Sequence, residues 1–124
     1  NMYGDRPNWS PKLEGVDRWR AIINVFTRMR YCTTAGRIAF EEKGRPGQQK
    51  PGLYPWLSVP GHVERELPIV FGHWSTLGLF QGVGVHGLDT GAVWGGKLTA
   101  LELGPEPRVH QVPGRTVAGT PRGE

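Results

Sequence analysis

Residues 69–103, IVFGHWSTLGLFQGVGVHGLDTGAVWGGKLTALEL, decide how the rest of the chain is interpreted. Three large apolar residues in a row, 69–71, predict a short strand that is buried on both faces. This strand must stop at Gly72, and the next two residues are His73 and Trp74. The sequence therefore predicts an imidazole directly after the end of a core strand.

The second half of this segment is rich in glycine. An acidic turn at residues 88–91, LDTG, is followed by a turn at 94–96, WGG. Next comes a predicted strand at 97–103, in which one apolar face can be lined by Leu98, Ala100 or Leu101, and Leu103. Glycines at such turns let the backbone approach another chain or a ligand closely. The order of strand, histidine, acidic turn and glycine turn predicts the edge of a ligand site. The candidate site residues here are Asp89, Trp94, Gly95 and Gly96; the alternative for the WGG segment is a tight β-turn.

Composition and charge set limits on the protein class. A length of 124 residues fits about one domain, and 37% apolar content fits a modest core. The net charge of +4 favours anionic partners such as phosphates or nucleotides. A single cysteine, Cys32, excludes an internal disulfide and fits a reducing compartment. The sequence has neither a signal-peptide pattern nor a long apolar run. We therefore expect a cytoplasmic protein without membrane contact.

A helix is predicted over residues 17–29. Its apolar residues recur with helical spacing and form one stripe: Trp19, Ile22, Ile23 and Phe26. Arg28 and Arg30 allow two interpretations. They belong to a solvated basic helix end that complements the helix dipole, or they contact phosphate groups.

The remaining segments are predicted from local patterns. Residues 31–34 and 37–40 read as a hairpin around Ala35-Gly36, with Cys32 as a small buried residue, and 41–52 as an exposed loop. Residues 53–57 are expected to pack back onto the core, and 108–112 to form an edge strand before a mobile tail beyond Pro113. His62, His86 and His110 lack partner motifs and are expected to be structural or exposed.

A lone histidine near a core strand is more often structural than a metal ligand. In this chain, however, His73 is part of a set of six motifs that occur together. They are MYGD at 2–5 with Trp9, FTRMRYC at 26–32, PWL at 55–57, FGHW at 71–74, LDTG at 88–91 and WGGKLTAL at 94–101. In this order they resemble the later half of the symmetrical bis(5'-nucleosyl)-tetraphosphatases, over roughly residues 2–104.

That family belongs to the calcineurin-like metallophosphoesterases. The resemblance implies an α/β (α+β) fold, the C-terminal half of a two-layered β-sandwich flanked by helices, with a pair of divalent cations, Mn²⁺ or Co²⁺, at the strand ends. It makes His73 the last metal-binding histidine of the family. The family's other ligand motifs, GD-x-HG, GD-x-x-x-RG, GNHD and HAG, do not occur in the sequence. We therefore expect residues 1–104 to be the C-terminal part of a metallophosphatase domain, residues 105–124 an edge strand and flexible tail, and the N-terminal half of the domain to be missing.

The resemblance also implies an activity. The complete enzyme would cleave diadenosine tetraphosphate symmetrically into two ADP by attack of a metal-activated hydroxide, and this chain alone is expected to be inactive, with no catalytic residue of its own. The substrate-binding candidates are Arg28, Arg30, Asp89, Trp94, Gly95 and Gly96. The first alternative is a non-catalytic module that binds nucleotides or polyphosphates. The second, a nucleic-acid binder, is disfavoured because the aromatic residues fall at apolar-pattern positions. A half-domain is also expected to expose apolar surface.

Overall fold

The computed structural model describes residues 2–61, 66–82 and 84–115. The chain divides into two compact units, residues 1–63 and 64–124. The predicted mixed α/β class is confirmed, since the described residues form one α-helix and three small sheets. In these ranges, no helix combines the length and apolar character needed to cross a bilayer. His62 and most of the predicted mobile tail lie outside the described residues. The two-layered sandwich and the division at residue 104 stay predictions.

The helix of the first unit, α1, spans Gly15–Arg28. The prediction of residues 17–29 was therefore close, and the helix ends because Met29 adopts an extended backbone with ψ 137°. The predicted apolar stripe exists, but it is not the buried face: Trp19 is 61% exposed and Phe26 77%. The buried residues of α1 are Ala21 and Asn24. The polar side of this helix, rather than its apolar side, thus packs against the rest of the unit.

Three short strands complete the first unit: β1 (Tyr31–Cys32), β2 (Ile38–Ala39) and β3 (Tyr54–Pro55). Both outer strands pair antiparallel with β1, in the order β2-β1-β3. The predicted hairpin is confirmed, and Gly36 turns it with a φ of +85° that few other residues adopt. The predicted return of residues 53–57 is also confirmed, because Trp56 is buried and its N–H donates to the Arg30 carbonyl at 2.9 Å.

Cys32 lies within this sheet and is only 5% exposed, as predicted for a small buried residue. Burial raises the pKa of its thiol, so that both access and thiolate formation are suppressed in the folded chain. At pH 8 we expect iodoacetamide to label Cys32 more than about tenfold more slowly than it labels an exposed cysteine. A matched exposed site is Ala35→Cys in a Cys32→Ala background, and mass spectrometry measures both rates. Equal rates would contradict the buried position.

The second unit contains a sheet of three strands: β4 (Ile69–Phe71), β5 (Phe80–Gly82) and β6 (Val85–Gly87). The order is β4-β6-β5, with β4 parallel and β5 antiparallel to β6. The predicted strand at 69–71 is confirmed, but its burial on both faces was wrong, because Val70 is 48% exposed. Ile69 and Phe71 are half-buried on the other face of β4. Among the described residues of this unit, the buried apolar side chains are those of Trp74 and Val85.

The last two strands form an antiparallel pair, β7 (Lys97–Glu102) with β8 (Arg108–Pro113). The predicted edge strand at 108–112 is therefore confirmed. The predicted apolar face of β7 was wrong. Leu98 is 60% exposed, and Leu103, which follows the end of the strand, is 78% exposed.

Candidate active site

The parallel pairing of β4 and β6 brings two predicted site segments to one edge of the second unit's sheet. Phe71 is opposite Gly87 in the register, and the N–H of Leu88 donates to the Phe71 carbonyl at 3.0 Å. The carboxyl ends of neighbouring parallel strands meet at the same edge, which is where open α/β sheets bind ligands. His73 follows β4 by two residues and Asp89 follows β6 by two residues, so both belong to this edge.

His73 occupies a strained backbone position. Its φ is +73°, the only positive φ of a non-glycine residue in the described ranges. The N–H of Trp74 donates to the Gly72 carbonyl at 2.9 Å, which makes His73 the centre of a tight three-residue γ-turn. Such backbone strain costs about 1–3 kcal/mol and is found most often at functional sites. The turn holds the His73 side chain at the exposed surface, while the next residue, Trp74, is buried at 2% exposure.

An open groove of about 450 Å³ lies along this edge. Its walls include Gly72 and Asp89, which were expected near the site, and Leu88, Thr90 and Lys97. His73 itself is not among the lining residues and stands next to the groove through Gly72. Sequence reasoning missed Lys97 as a groove residue, although a cation directly after the WGG turn was a usable signal.

Asp89 has a structural contact within its own turn. Its Oδ1 accepts a hydrogen bond from the Gly91 N–H at 3.1 Å, which is a side-chain turn of the kind that aspartate favours. The Thr90 hydroxyl bonds to the Lys97 carbonyl and to the Thr99 hydroxyl on β7. The LDTG segment is therefore tied both to itself and to β7, which fixes the Asp89 carboxylate on the groove wall.

The residues 94–96 form a tight turn, the alternative that the sequence left open. A single 3₁₀ turn, Ala92–Trp94, ends at Gly95 with a φ of +89°. Both Trp94 and Gly96 donate their N–H groups to the Gly91 carbonyl at 2.9 Å. Of the described residues near this turn, the flanking Ala92 and Lys97 line the groove and Trp94, Gly95 and Gly96 do not.

The two predicted arginines belong to the first unit, and Arg28 is largely engaged within it. Its guanidinium donates to Asp5 Oδ1 at 2.7 Å and to Asn24 Oδ1 at 3.0 Å. It also lies over the rings of Tyr3, 4.3 Å from the centroid, and Phe40, 4.6 Å from the centroid. With a side chain only 15% exposed, Arg28 joins the MYGD segment to the helix. The interpretation as a solvated basic end is wrong for this residue.

Arg30 lies beyond the end of α1 and is 5% exposed, so it is not part of a solvated helix face either. Burial, and next the positive charge of Arg28, lower the pKa of its guanidinium. A buried cation is costly to keep charged, and an anion close to it offsets that cost.

The described residues do not form a metal centre on their own. Within residues 2–61, 66–82 and 84–115, no three or more His, Cys, Asp or Glu side chains lie close enough together to hold an ion. Hard divalent cations need several converging oxygen or imidazole ligands. His73 alone therefore does not fit a cation pair.

Comparison with known proteins finds relatives that are similar over most of this chain. No protein-family model matches the chain. Curated relatives named symmetrical bis(5'-nucleosyl)-tetraphosphatase do match: that of Xanthomonas euvesicatoria pv. vesicatoria (strain 85-10) is 69% identical over 120 residues, and that of Xylella fastidiosa (strain 9a5c) 63% over 118 residues. The chain is homologous to the C-terminal part of these tetraphosphatases. The resemblance seen in the six motifs is thereby confirmed.

The tetraphosphatase match has a definite extent. It covers 96% of this chain but 38% of the Xanthomonas protein, and 94% of this chain but 40% of the Xylella protein. The chain thus spans about two-fifths of the length of these tetraphosphatases. Because the match runs over almost the whole chain, it includes both units, with the His73 edge in one and the Arg28 cluster in the other.

Proposed function

We propose that this chain is part of a hydrolase that cleaves diadenosine tetraphosphate, and related dinucleoside polyphosphates, symmetrically into two nucleoside diphosphates. The observation that carries the proposal is the 69% identity to a symmetrical bis(5'-nucleosyl)-tetraphosphatase over 96% of the chain. Hydrolysis of a phosphoanhydride requires fixed positive groups around developing negative charge. In the groove beside His73, Lys97 supplies one positive group, next to the carboxylate of Asp89.

The size of this groove supports the same proposal. Its volume of about 450 Å³ lies within the range of ordinary small-molecule pockets, roughly 300–1,000 Å³. Gly72 and Ala92 present little side-chain bulk along its walls, which favours close approach of a polyphosphate to the backbone. Of the predicted contacts, Asp89 is the one that lines the groove. Trp94, Gly95, Gly96, Arg28 and Arg30 stay proposed site residues, although contacts within the chain account for the positions of Gly96 and Arg28.

The complete enzyme is proposed to use two divalent cations, Mn²⁺ or Co²⁺, with His73 as one of their ligands. Support for His73 comes from its place at the sheet edge and its strained γ-turn. The proposal includes inactivity of this chain alone, since it contains none of the family's other ligand motifs. A cytoplasmic location is also proposed, supported by the single, free cysteine.

A chimeric enzyme tests the proposed function. In it, this chain replaces the matching 120 residues of the Xanthomonas euvesicatoria relative. We expect the chimera to convert diadenosine tetraphosphate into ADP as the sole nucleotide product with Mn²⁺ or Co²⁺, and the 124-residue chain alone to show no turnover. Chromatography of the products gives the result directly. A folded chimera that releases AMP and ATP, or nothing, would refute the proposal.

Substitution of His73 in the same chimera tests its role. We expect His73→Gly to lower kcat/KM more than tenfold, because the imidazole is lost while glycine still adopts the φ of +73° without strain. The matched control is His110→Gly at an exposed strand position, where the histidine contacts Glu102 Oε2 at 2.8 Å. We expect this control to retain full activity. Equal activity of the two variants would remove His73 from the site.

A second candidate function is a non-catalytic module that binds nucleotides or polyphosphates. The absence of a metal-binding cluster among the described residues favours it for the chain by itself. Titration of the purified chain with ADP in the calorimeter distinguishes the two. Saturable binding to the isolated chain, together with an inactive chimera, would favour the module over the hydrolase.

A further inference from the structure

One face of α1 carries a row of exposed apolar side chains, which we call the α1 stripe: Val16, Trp19, Ile23 and Phe26. Their exposed fractions are 56%, 61%, 39% and 77%. The spacing of three, four and three residues keeps all four on one side of the helix, over about 15 Å. Scattered exposed apolar residues are common in soluble proteins, but a continuous row marks an interaction surface.

The opposite face of the same helix is already covered. Ala21 is 1% exposed and Asn24 2%, and the Asn24 side chain bonds to the backbone of Met2 and Gly4. A surface helix normally turns its apolar side inward and its polar side to water. In α1 the polar side is occupied within the first unit while the apolar side is exposed, which makes the apolar side a candidate contact surface.

We propose that the α1 stripe is the surface against which the part of the tetraphosphatase polypeptide outside this chain packs, an inference that rests on the proposed function. The Xanthomonas relative is 69% identical across almost the whole chain, yet the chain spans only 38% of its length. Most of such a polypeptide is therefore available as the cover. To fit the stripe, it must present an apolar face about 15 Å long that receives the rings of Trp19 and Phe26.

The area of the stripe disfavours a second copy of this chain as the cover. A stable interface buries about 800 Å² per partner. A covered aromatic side chain buries about 150–250 Å², so the exposed parts of Trp19 and Phe26, the two largest members of the stripe, amount to roughly 200–350 Å² together. This is small for a dimer of separate molecules, which loses translational and rotational freedom. Two parts of one polypeptide do not lose this freedom when they pack together, so a smaller apolar area is sufficient to hold them.

The same chimera tests the stripe through its stability. We expect Trp19→Glu and Phe26→Glu each to lower the melting temperature of the chimera by about 5 °C or more, because a charge is forced into an apolar contact. In the 124-residue chain the same substitutions should shift the melting temperature by less than about 2 °C, because these side chains are exposed there. Phe26→Leu, which keeps an apolar side chain, should restore most of the chimera's stability. The matched control is Leu103→Glu, because Leu103 is 78% exposed and Phe26 77%.

Two results would overturn the inference. One is a chimera whose melting temperature responds to Phe26→Glu no more than to Leu103→Glu. The other is a dimer of the 124-residue chain in sedimentation that Phe26→Glu dissociates, with the chimera unaffected, which would assign the stripe to a second copy. The hydrolysis assay separates this inference from the proposed function. An inactive chimera that Phe26→Glu destabilises supports the packing surface alone, and an active chimera insensitive to Phe26→Glu refutes the surface alone.

Discussion

Gly96→Ala is expected to lower the free energy of unfolding of the second unit by about 3 kcal/mol or more. A Cβ at this position would lie 2.2 Å from the Thr90 carbonyl oxygen and 2.9 Å from that of Gly91. Both contacts are with backbone, and the same backbone is fixed by hydrogen bonds from Lys97 N to Thr90 O at 3.1 Å and from Gly96 N to Gly91 O at 2.9 Å. Neither neighbour can move without breaking the turn that borders the groove.

Gly104→Ala is the matched control, since a Cβ there meets nothing within 4 Å. We expect it to change stability by less than about 0.5 kcal/mol. Urea unfolding measures the global effect, and hydrogen exchange of the amides at 90–97 shows whether the loss begins in this turn. If the Gly96→Ala and Gly104→Ala variants have the same free energy of unfolding, the close backbone contact inferred at Gly96 is wrong.

A second glycine, Gly114, makes a similar close contact between the 3₁₀ turn and the β7–β8 pair. The Gly114 N–H donates to the Gly96 carbonyl at 2.7 Å, and a Cβ on Gly114 would lie 2.3 Å from the Ala92 carbonyl oxygen. The two glycines therefore let the 3₁₀ turn and the strand pair approach one another. Gly96→Ala and Gly114→Ala would disrupt the same contact region. The loss of stability in the double variant should therefore be smaller than the sum of the losses in the two single variants.

The elements that sequence predicted best are those specified by neighbouring residues. Helical spacing placed α1 within two residues at its start and one at its end, and Ala35-Gly36 marked the turn of the β1–β2 hairpin. The strand at 69–71 was predicted from three apolar residues and a glycine stop. Each of these signals depends on local backbone and side-chain preferences, which a single sequence contains.

The features that sequence did not predict depend on distant partners. The parallel pairing of β4 with β6 joins residues sixteen positions apart, and no local turn residue announces it. The guanidinium of Arg28 bonds to Asp5, which is 23 positions away. The exposure of the α1 stripe could not be predicted, because amphipathic spacing shows that a helix has an apolar face but not which polypeptide covers it.

The residues of the candidate site likewise include some features that local sequence predicted and some that it did not. A glycine stop followed by histidine correctly located His73 at a strand end, but its φ of +73° comes from the γ-turn and cannot be inferred from composition. Asp89 was located by the LDTG segment and does line the groove. Trp94 and Gly95, chosen for their nearness in sequence, shape the turn while the flanking Lys97 lines the groove. Proximity to the strand end therefore predicted Asp89 on the groove wall but did not separate it from Trp94 and Gly95.

Asn24→Ala is expected to destabilise the first unit by about 3 kcal/mol, because one buried side chain makes four hydrogen bonds. Its Nδ2 donates to the carbonyls of Met2 at 2.8 Å and Arg20 at 2.7 Å. Its Oδ1 accepts from the Gly4 N–H at 3.2 Å and from Arg28 at 3.0 Å. Alanine would remove all four bonds at a site that is 2% exposed, and would leave the contacts of Arg28 with Asp5 and Tyr3 to hold residues 2–5 on the helix.

Asn24→Asp separates the two halves of this network. It keeps an oxygen that accepts from Gly4 and Arg28, but its second carboxylate oxygen faces the carbonyl oxygens of Met2 and Arg20, so its cost should be at least that of Asn24→Ala. Thr27→Ala is the control on the same helix, because its exposed hydroxyl bonds only to the Ile23 carbonyl, at 2.6 Å, and its loss should cost less than about 0.5 kcal/mol. Urea unfolding ranks the three variants. Asn24 joins the MYGD segment to α1. If the Asn24→Ala protein were as stable as the Thr27→Ala protein, this segment would be held by other contacts. The MYGD motif would then have a reason other than the stability of this unit.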